Sequence, residues 1–423
     1  INIIKRKTQR SKYKHKNSYV YEKEGSFISK LKVFFLNRSR LGLLFFVFLI
    51  LFLFASLVFI NIKAFIEFES RAYPDSQMEV KNEWAGNTKY TILLIGTDKI
   101  DSDHVFIDHV SVLSLDPQGR NVSIFVLNPD LKVTQNTIGH TLHYRTILNN
   151  RELSEDKLAV LIKSVENLLA FKIDRYLIAD KNTFPDLSQY MNPIQVLVPS
   201  DIRDEDTLSF PSEQVADWGA GPQVVLPIDY LAFAASDDNG RDDQLTRQQN
   251  LIESMILNLI GFRSIFNFAN ILGQFENSCS TNMGKWELFH LSLNLIKIKQ
   301  GDIKKGYLRE STYQKVIDIG FYEAISPDIG RIDKDLSNIF FDLEVFKEQA
   351  RIEVLNGSGI KGLATNRSRW VVNIGARVIH YGNSYEMSDK TTIYCSDVSK
   401  YPVTIFELKR FLGSSVEIIE EEY

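Results

Sequence analysis

The longest uninterrupted apolar stretch lies near the start of the chain. Residues 41–62, LGLLFFVFLILFLFASLVFINI, carry no charge and no proline. As a helix rising 1.5 Å per residue they reach about 33 Å, enough to cross a hydrocarbon core of about 30 Å. Backbone polar groups inside lipid must pair locally, so the stretch predicts a single transmembrane helix. It is longer than the ~7–15 apolar residues of a cleaved signal, and no A-x-A site follows it, so the anchor is expected to stay in place.

Beyond a polar spacer over 63–88, shorter apolar runs alternate with longer amphipathic ones. Tyr90–Gly96 (YTILLIG), Val110–Leu115 and Val122–Leu127 have the length and β-branching of buried strands. The second and third are separated by Asp116-Pro117-Gln118-Gly119, a turn by its early proline and late glycine. Ser154–Phe171 predicts a helix, because Leu158, Leu161, Ile162, Val165, Leu168 and Leu169 recur at i, i+3, i+4 spacing. Glu155 and Asp156 are expected in its first turn, where acids are favoured. Arg175–Ala179 and Ile194–Val198 predict further strands, and Gln248–Ile260 and Lys285–Ile298 further helices. Strands alternating with helices predict an α/β layered domain over 89–262. Residues 263–349 read as a helical or mixed connector.

The last stretch, 350–423, has its own pattern. Arg351–Leu355 predicts a strand, 360–374 a helix, Ala376–His380 and Thr391–Cys395 strands, Val403–Phe411 a helix, and Val416–Ile419 a last strand. The order β-α-β-β-α-β predicts a small sheet covered on one face by two helices.

Charge adds topology to this picture. Residues 1–40 hold 12 Lys or Arg against 2 Asp or Glu, whereas the rest of the chain holds 37 against 51. A basic tail beside an apolar span predicts a cytoplasmic N-terminus, with residues 63–423 outside the cytoplasmic membrane. The basic excess is confined to that tail, so no nucleic-acid partner is expected of the folded body. Cys279 and Cys395 are the only cysteines and form no CxxC, which excludes a disulfide framework or a cysteine-rich zinc site.

Particular residues then resemble a known family. ILLIGTD over 92–98, Asp108 within FIDHVSVLSL, and Arg-Gln-Gln over 247–249 occur in the order seen in LytR-CpsA-Psr proteins. Val354–Ala364 (VLNGSGIKGLA) is similar to the opening of the LytR C-terminal domain. The resemblance implies a membrane-anchored extracytoplasmic phosphotransferase. Such enzymes move polyprenyl-pyrophosphate-linked glycopolymers, teichoic acids or capsule among them, onto peptidoglycan. It also implies a Mg²⁺ ion, arginines on the pyrophosphate and an apolar pocket for the lipid.

By this resemblance Asp98 and Asp108 align with the metal carboxylates, and Arg247, Gln248 and Asp130 with catalytic positions. The chemistry suits those residue types. Pyrophosphate transfer needs carboxylates on a hard cation and guanidinium forks on phosphate oxygens. The chain also departs from the family pattern. Asn128-Pro129-Asp130 lacks the arginine of a Pro-Arg-Asp segment, Ala234–Asp238 lacks an Arg-x-Arg pair, and Gln244 stands where the late motif has its first arginine. Arg145 and Arg241 are the candidate replacements for substrate binding. The losses leave open a non-catalytic binder of lipid-linked polymer, or an envelope scaffold using residues 350–423. His104, His109, His140 and His143 raise a third reading, a transition-metal site built with Asp98 or Asp108, although no HExxH is present. His290 reads as a core-edge histidine. GSGIKG (357–362) lacks the Walker spacing and reads as a tight strand-to-helix turn.

Overall fold

The computed structural model describes residues 40–423 except 75, 77–82, 99–104, 134–141, 150–155, 182–183, 205–215, 237, 259–265, 310–312, 318–322, 337–338, 414 and 422–423. The basic tail, His104, His140, Asp237 and the expected start of the 154–171 helix lie outside the described residues. The chain divides into two compact units, 1–60 and 61–423. Helix α1 (Arg40–Glu67) spans the division; from Gly42 it is long and apolar enough to cross a membrane.

The body is a six-stranded mixed sheet. Its strands are β1 (Tyr90–Thr97), β2 (Ile107–Asp116), β3 (Asn121–Leu127), β4 (Arg175–Asp180), β5 (Cys279–Thr281) and β6 (Ile303–Tyr307), in the order β5-β4-β1-β2-β3-β6. β1 runs parallel to β4 and antiparallel to β2, β2 is antiparallel to β3, and β3 is parallel to β6. The β2–β3 turn forms as expected, with Asp116 Oδ1 accepting from the backbone N–H of Gln118 (3.0 Å) and Gly119 (2.9 Å). Two strands, β5 and β6, come from the stretch read as a connector.

Both faces of the sheet are covered, which is why its strands read as continuous apolar runs rather than alternating ones. Leu93, Ile95, Val110, Val112, Phe125 and Leu127 face one layer, packed with Leu158, Leu161, Ile162 and Val165 of α2 (Lys157–Leu169). Ile92, Leu113, Leu115, Val122, Ile124 and Val126 face the other. There Leu245 and Ile256 come from α4 (Arg241–Leu257), and Leu291 and Leu295 from α5 (Lys285–Leu295). A short α3 (Tyr230–Ala235) precedes α4. Asp156 proves to be the N-cap of α2, its carboxylate accepting from Ala159 N at 3.0 Å, so it precedes the first turn. α4 starts seven residues before the expected helix, after Gly240 at φ +88°. His290 is half-buried, its ring against Gly86.

The C-terminal stretch contains β7 (Arg351–Asn356), α7 (Leu363–Asn373), β8 (Arg377–Asn383), β9 (Thr392–Cys395), α8 (Pro402–Leu412) and β10 (Glu417–Glu420), with α6 (Ile329–Leu336) leading towards it. The expected single small sheet is instead two parallel pairs, β7 with β8 and β9 with β10. Trp370 and Val371 are buried. This stretch is tied to the body by polar contacts. Arg369 donates to Asn167 O (3.1 Å) and Leu168 O (2.8 Å), and Asn373 to Leu169 O (2.8 Å). These are carbonyls that the end of α2 cannot satisfy within the helix. Arg410 forks onto Asp174 (2.6 and 3.1 Å) and also reaches Thr91 Oγ1 (3.1 Å) and Glu407 (2.9 Å).

Candidate functional site

Strand directions bring four chain segments to one end of the sheet. The carboxyl ends of β1 and β4 lie together, with Thr97 opposite Asp180. β2 starts at that end because it is antiparallel to β1, and β3 finishes there, with Val110 opposite Leu127. Asp98, Asp108, Asp130 and Lys181 therefore lie at the end of the sheet where parallel strands of α/β folds present ligands. A bulge sharpens the placement. Gly96 pairs with His109 and Thr97 with Ile107, which leaves Asp108 as the extra residue. Gly96 is needed for this approach, since a Cβ there would sit 3.0 Å from the Cβ of His109.

Five side chains form an alternating chain of charge: Lys181, Asp108, Arg145, Asp130, Arg241. Lys181 Nζ donates to Asp108 Oδ2 (3.0 Å). Arg145 donates from Nη1 to Asp108 Oδ1 (2.9 Å) and from Nε to Asp130 Oδ1 (2.6 Å). Arg241 donates from Nη2 to Asp130 Oδ2 (2.9 Å) and from Nη1 to Gln244 Oε1. The loop after β3 is pre-shaped for this, since Asn128 Oδ1 accepts from Asp130 N (2.9 Å) and Arg145 N donates to Pro129 O (2.8 Å). Burial alone would push the Asp130 carboxyl up, but the hydrogen bond and charge of Arg145, then the charge of Arg241, hold it below the usual carboxylate range. Arg145 is correspondingly raised despite its burial, by Asp130 first and Asp108 second. Within this five-residue chain three cations face two carboxylates, with Asp98 a further acid at the same end of the sheet. Among the described residues Arg145 Nη2 and Arg241 Nε carry no hydrogen bond.

The candidate residues thus divide. Asp108, Asp130, Arg145 and Arg241 are brought together. Arg247 and Gln248 are held elsewhere on α4. Arg247 is fully buried, and its guanidinium donates to Phe233 O (3.0 Å), Ser236 O and the carboxylate of Asp243. Gln248 Oε1 pairs with His109 Nδ1 (2.9 Å), and its amide donates to Ala234 O (3.2 Å). His109 also reaches Ser111 Oγ (2.7 Å), and burial keeps its imidazole below its usual pKa. Asp98 accepts at Oδ1 from Phe106 N (2.7 Å), a link across the loop between β1 and β2. Lys181 carried no motif. The only sequence signal for it is a cation directly after a strand that ends at the same sheet edge as Asp98.

The Mg²⁺ ion implied by the resemblance does not fit these donors as they stand. Magnesium takes oxygen ligands at about 2.0–2.1 Å in near-octahedral geometry. Both oxygens of Asp108 already hold a cationic group, and Asp98 Oδ1 is engaged by a backbone N–H. Among the described residues no three His, Cys, Asp or Glu side chains are grouped to hold a metal. His143 instead places Nδ1 3.2 Å from Asp130 O.

A family model, LytR_cpsA_psr, matches residues 58–336, well over half of the chain. The chain belongs to the LytR-CpsA-Psr family. No curated protein matches it. Among solved structures it is similar to TagV of B. subtilis, with 19% identity over 59% of this chain and 94% of that one and a TM-score of 0.49. A protein of Enterococcus faecalis described as a transcriptional regulator (EF0465) is 15% identical, over 60% of this chain and 86% of that one, at a TM-score of 0.45. TagT bound to LIIa-WTA is 14% identical, over 63% and 93%, also at 0.45.

Proposed function

We propose that this chain is a membrane-anchored, extracytoplasmic transferase of cell-envelope glycopolymers. Its donor is a polyprenyl-pyrophosphate-linked polymer and its acceptor is peptidoglycan. Family membership supports the class. The observation that carries the site is the Lys181–Asp108–Arg145–Asp130–Arg241 chain at the carboxyl ends of β1 and β4. The planar forks of Arg145 and Arg241 and the ammonium of Lys181 suit a pyrophosphate.

The transfer is a displacement at phosphorus. An acceptor hydroxyl oxygen bonds to the phosphorus that carries the glycan, the bond from that phosphorus to the bridging oxygen breaks, and polyprenyl phosphate leaves. The hydroxyl proton passes to solvent or to the departing phosphate. Such reactions depend mainly on positioning and charge neutralisation. In that scheme Arg145 and Arg241 bind the phosphates, Asp130 fixes both guanidinium groups, and the buried Arg247 with Gln248 holds α3 and His109 in place. The membrane helix tethers the body to the membrane, with the basic tail inside and the body outside.

The test is transfer of labelled glycopolymer from a polyprenyl pyrophosphate to purified peptidoglycan by the full chain in liposomes. Labelled, lysozyme-releasable product that falls at least a hundredfold in Arg145→Ala supports the proposal. Tight retention of the donor with no transfer marks a binder instead, and neither retention nor transfer contradicts the site altogether.

A further inference from the structure

We propose that Lys181 takes the place of a divalent cation at this site, so that the chain binds a pyrophosphate without Mg²⁺. The inference deepens the proposed function and rests on it.

Lys181 is set in place by the backbone as well as by its side chain. It follows the last residue of β4, and its N–H donates to Thr97 O at 2.8 Å. The side chain therefore starts at the shared end of β1 and β4 and meets Asp108 at 3.0 Å, with Asp108 set out by the bulge in β2. Arg145 holds the other carboxylate oxygen at 2.9 Å. A divalent ion on either oxygen would stand no further than about 5 Å from an ammonium or a guanidinium. It would be repelled by that group, and no third acidic or imidazole ligand is grouped there among the described residues to compensate. The carboxylate is instead neutralised by groups that belong to the chain. Lys181 is about a quarter exposed, so its ammonium can serve Asp108 and an incoming phosphate oxygen together. An ammonium has three donors, and lysine binds phosphate as a point charge.

The experiment titrates inorganic pyrophosphate into the full chain in detergent by calorimetry, once with EDTA and once with Mg²⁺. A parallel titration follows Mn²⁺ by electron paramagnetic resonance. Wild type is expected to bind pyrophosphate with affinities within about threefold in the two conditions, and to take up no stoichiometric Mn²⁺ in the absence of pyrophosphate. Lys181→Met is expected to lose about tenfold or more in EDTA, the loss of one charge-assisted contact. Wild-type binding that appears only with Mg²⁺ overturns the Lys181 inference while leaving the proposed function standing. Absence of binding in both conditions removes the proposed site as well. The wild-type comparison decides the matter even where Lys181→Met does not fold.

Discussion

Arg145 and Asp130 meet at 2.6 Å, Nε to Oδ1, and the same guanidinium reaches Asp108 at 2.9 Å. One residue of the helical turn Tyr144–Asn149 thus joins the start of β2 to the loop after β3. Removing it leaves two carboxylates facing each other's surroundings without their shared partner. Arg145→Ala is expected to destabilise the fold by about 1.5–3 kcal/mol, the usual worth of hydrogen bonds to charged groups. The midpoint of urea unfolding reads this, and a shift indistinguishable from zero would contradict it.

The Asp130 carboxyl has a folded pKa below its unfolded value of about 3.9. Its contribution to stability is therefore fully present above about pH 4 and is lost as the pH falls through the lower folded value. Asp130→Asn is expected to flatten this part of the acid limb. Urea midpoints measured downward from pH 5 in wild type and variant should converge as the pH falls; a constant gap would show that the ionised form is not the stabilising one.

Arg247 is expected to behave as a core residue. Its guanidinium is fully buried and ties α4 to the end of α3 through Phe233 O and Ser236 O. Arg247→Ala strands two carbonyls and the Asp243 carboxyl, whose pKa burial already raises. Breaking a buried pair costs about 3–5 kcal/mol, so the variant should unfold well before wild type on heating. Unchanged thermal stability would return Arg247 to the list of groups held for substrate.

Arg410 fastens the C-terminal stretch to the body through Asp174 and Thr91, at only 12% exposure. Arg410→Ala is expected to loosen α8 from β1 and β4. Hydrogen exchange should rise across 351–412 and at Thr91, while the strands β2 and β3 stay protected. Uniform exchange across the chain would mean that this contact does not govern docking.

Strands β1 to β4 were legible because burial on both faces demands continuous apolar runs, as in Tyr90–Thr97 and Asn121–Leu127, whereas the three residues of β5 (CST) are too short for such a run. β6 was missed as well, since IKKGY carries two lysines and a glycine at an edge position. The first turns of α4 fell before the helix expected from Gln248, yet Asp242 and Asp243 stand where a helix N-terminus favours carboxylates. The site was half legible. Resemblance picked out Asp108 and Asp130, and the suitability of arginine for phosphate added Arg145 and Arg241, but their pairing depends on contacts across long separations. Lys181 and Asp108 are 73 positions apart, and Arg241 and Asp130 are 111 apart. No local pattern encodes such meetings, so Arg247 and Gln248 looked equally suited to the site until packing placed them against α3 and His109.

The most direct measurement is the affinity of the full chain for a short prenyl pyrophosphate, farnesyl pyrophosphate, compared among wild type, Arg145→Ala and Arg241→Ala. Wild-type binding that weakens about tenfold or more in each folded variant is expected if the alternating charges hold the pyrophosphate. Equal affinity in all three, or none in wild type, would place the ligand somewhere other than the end of β1 and β4.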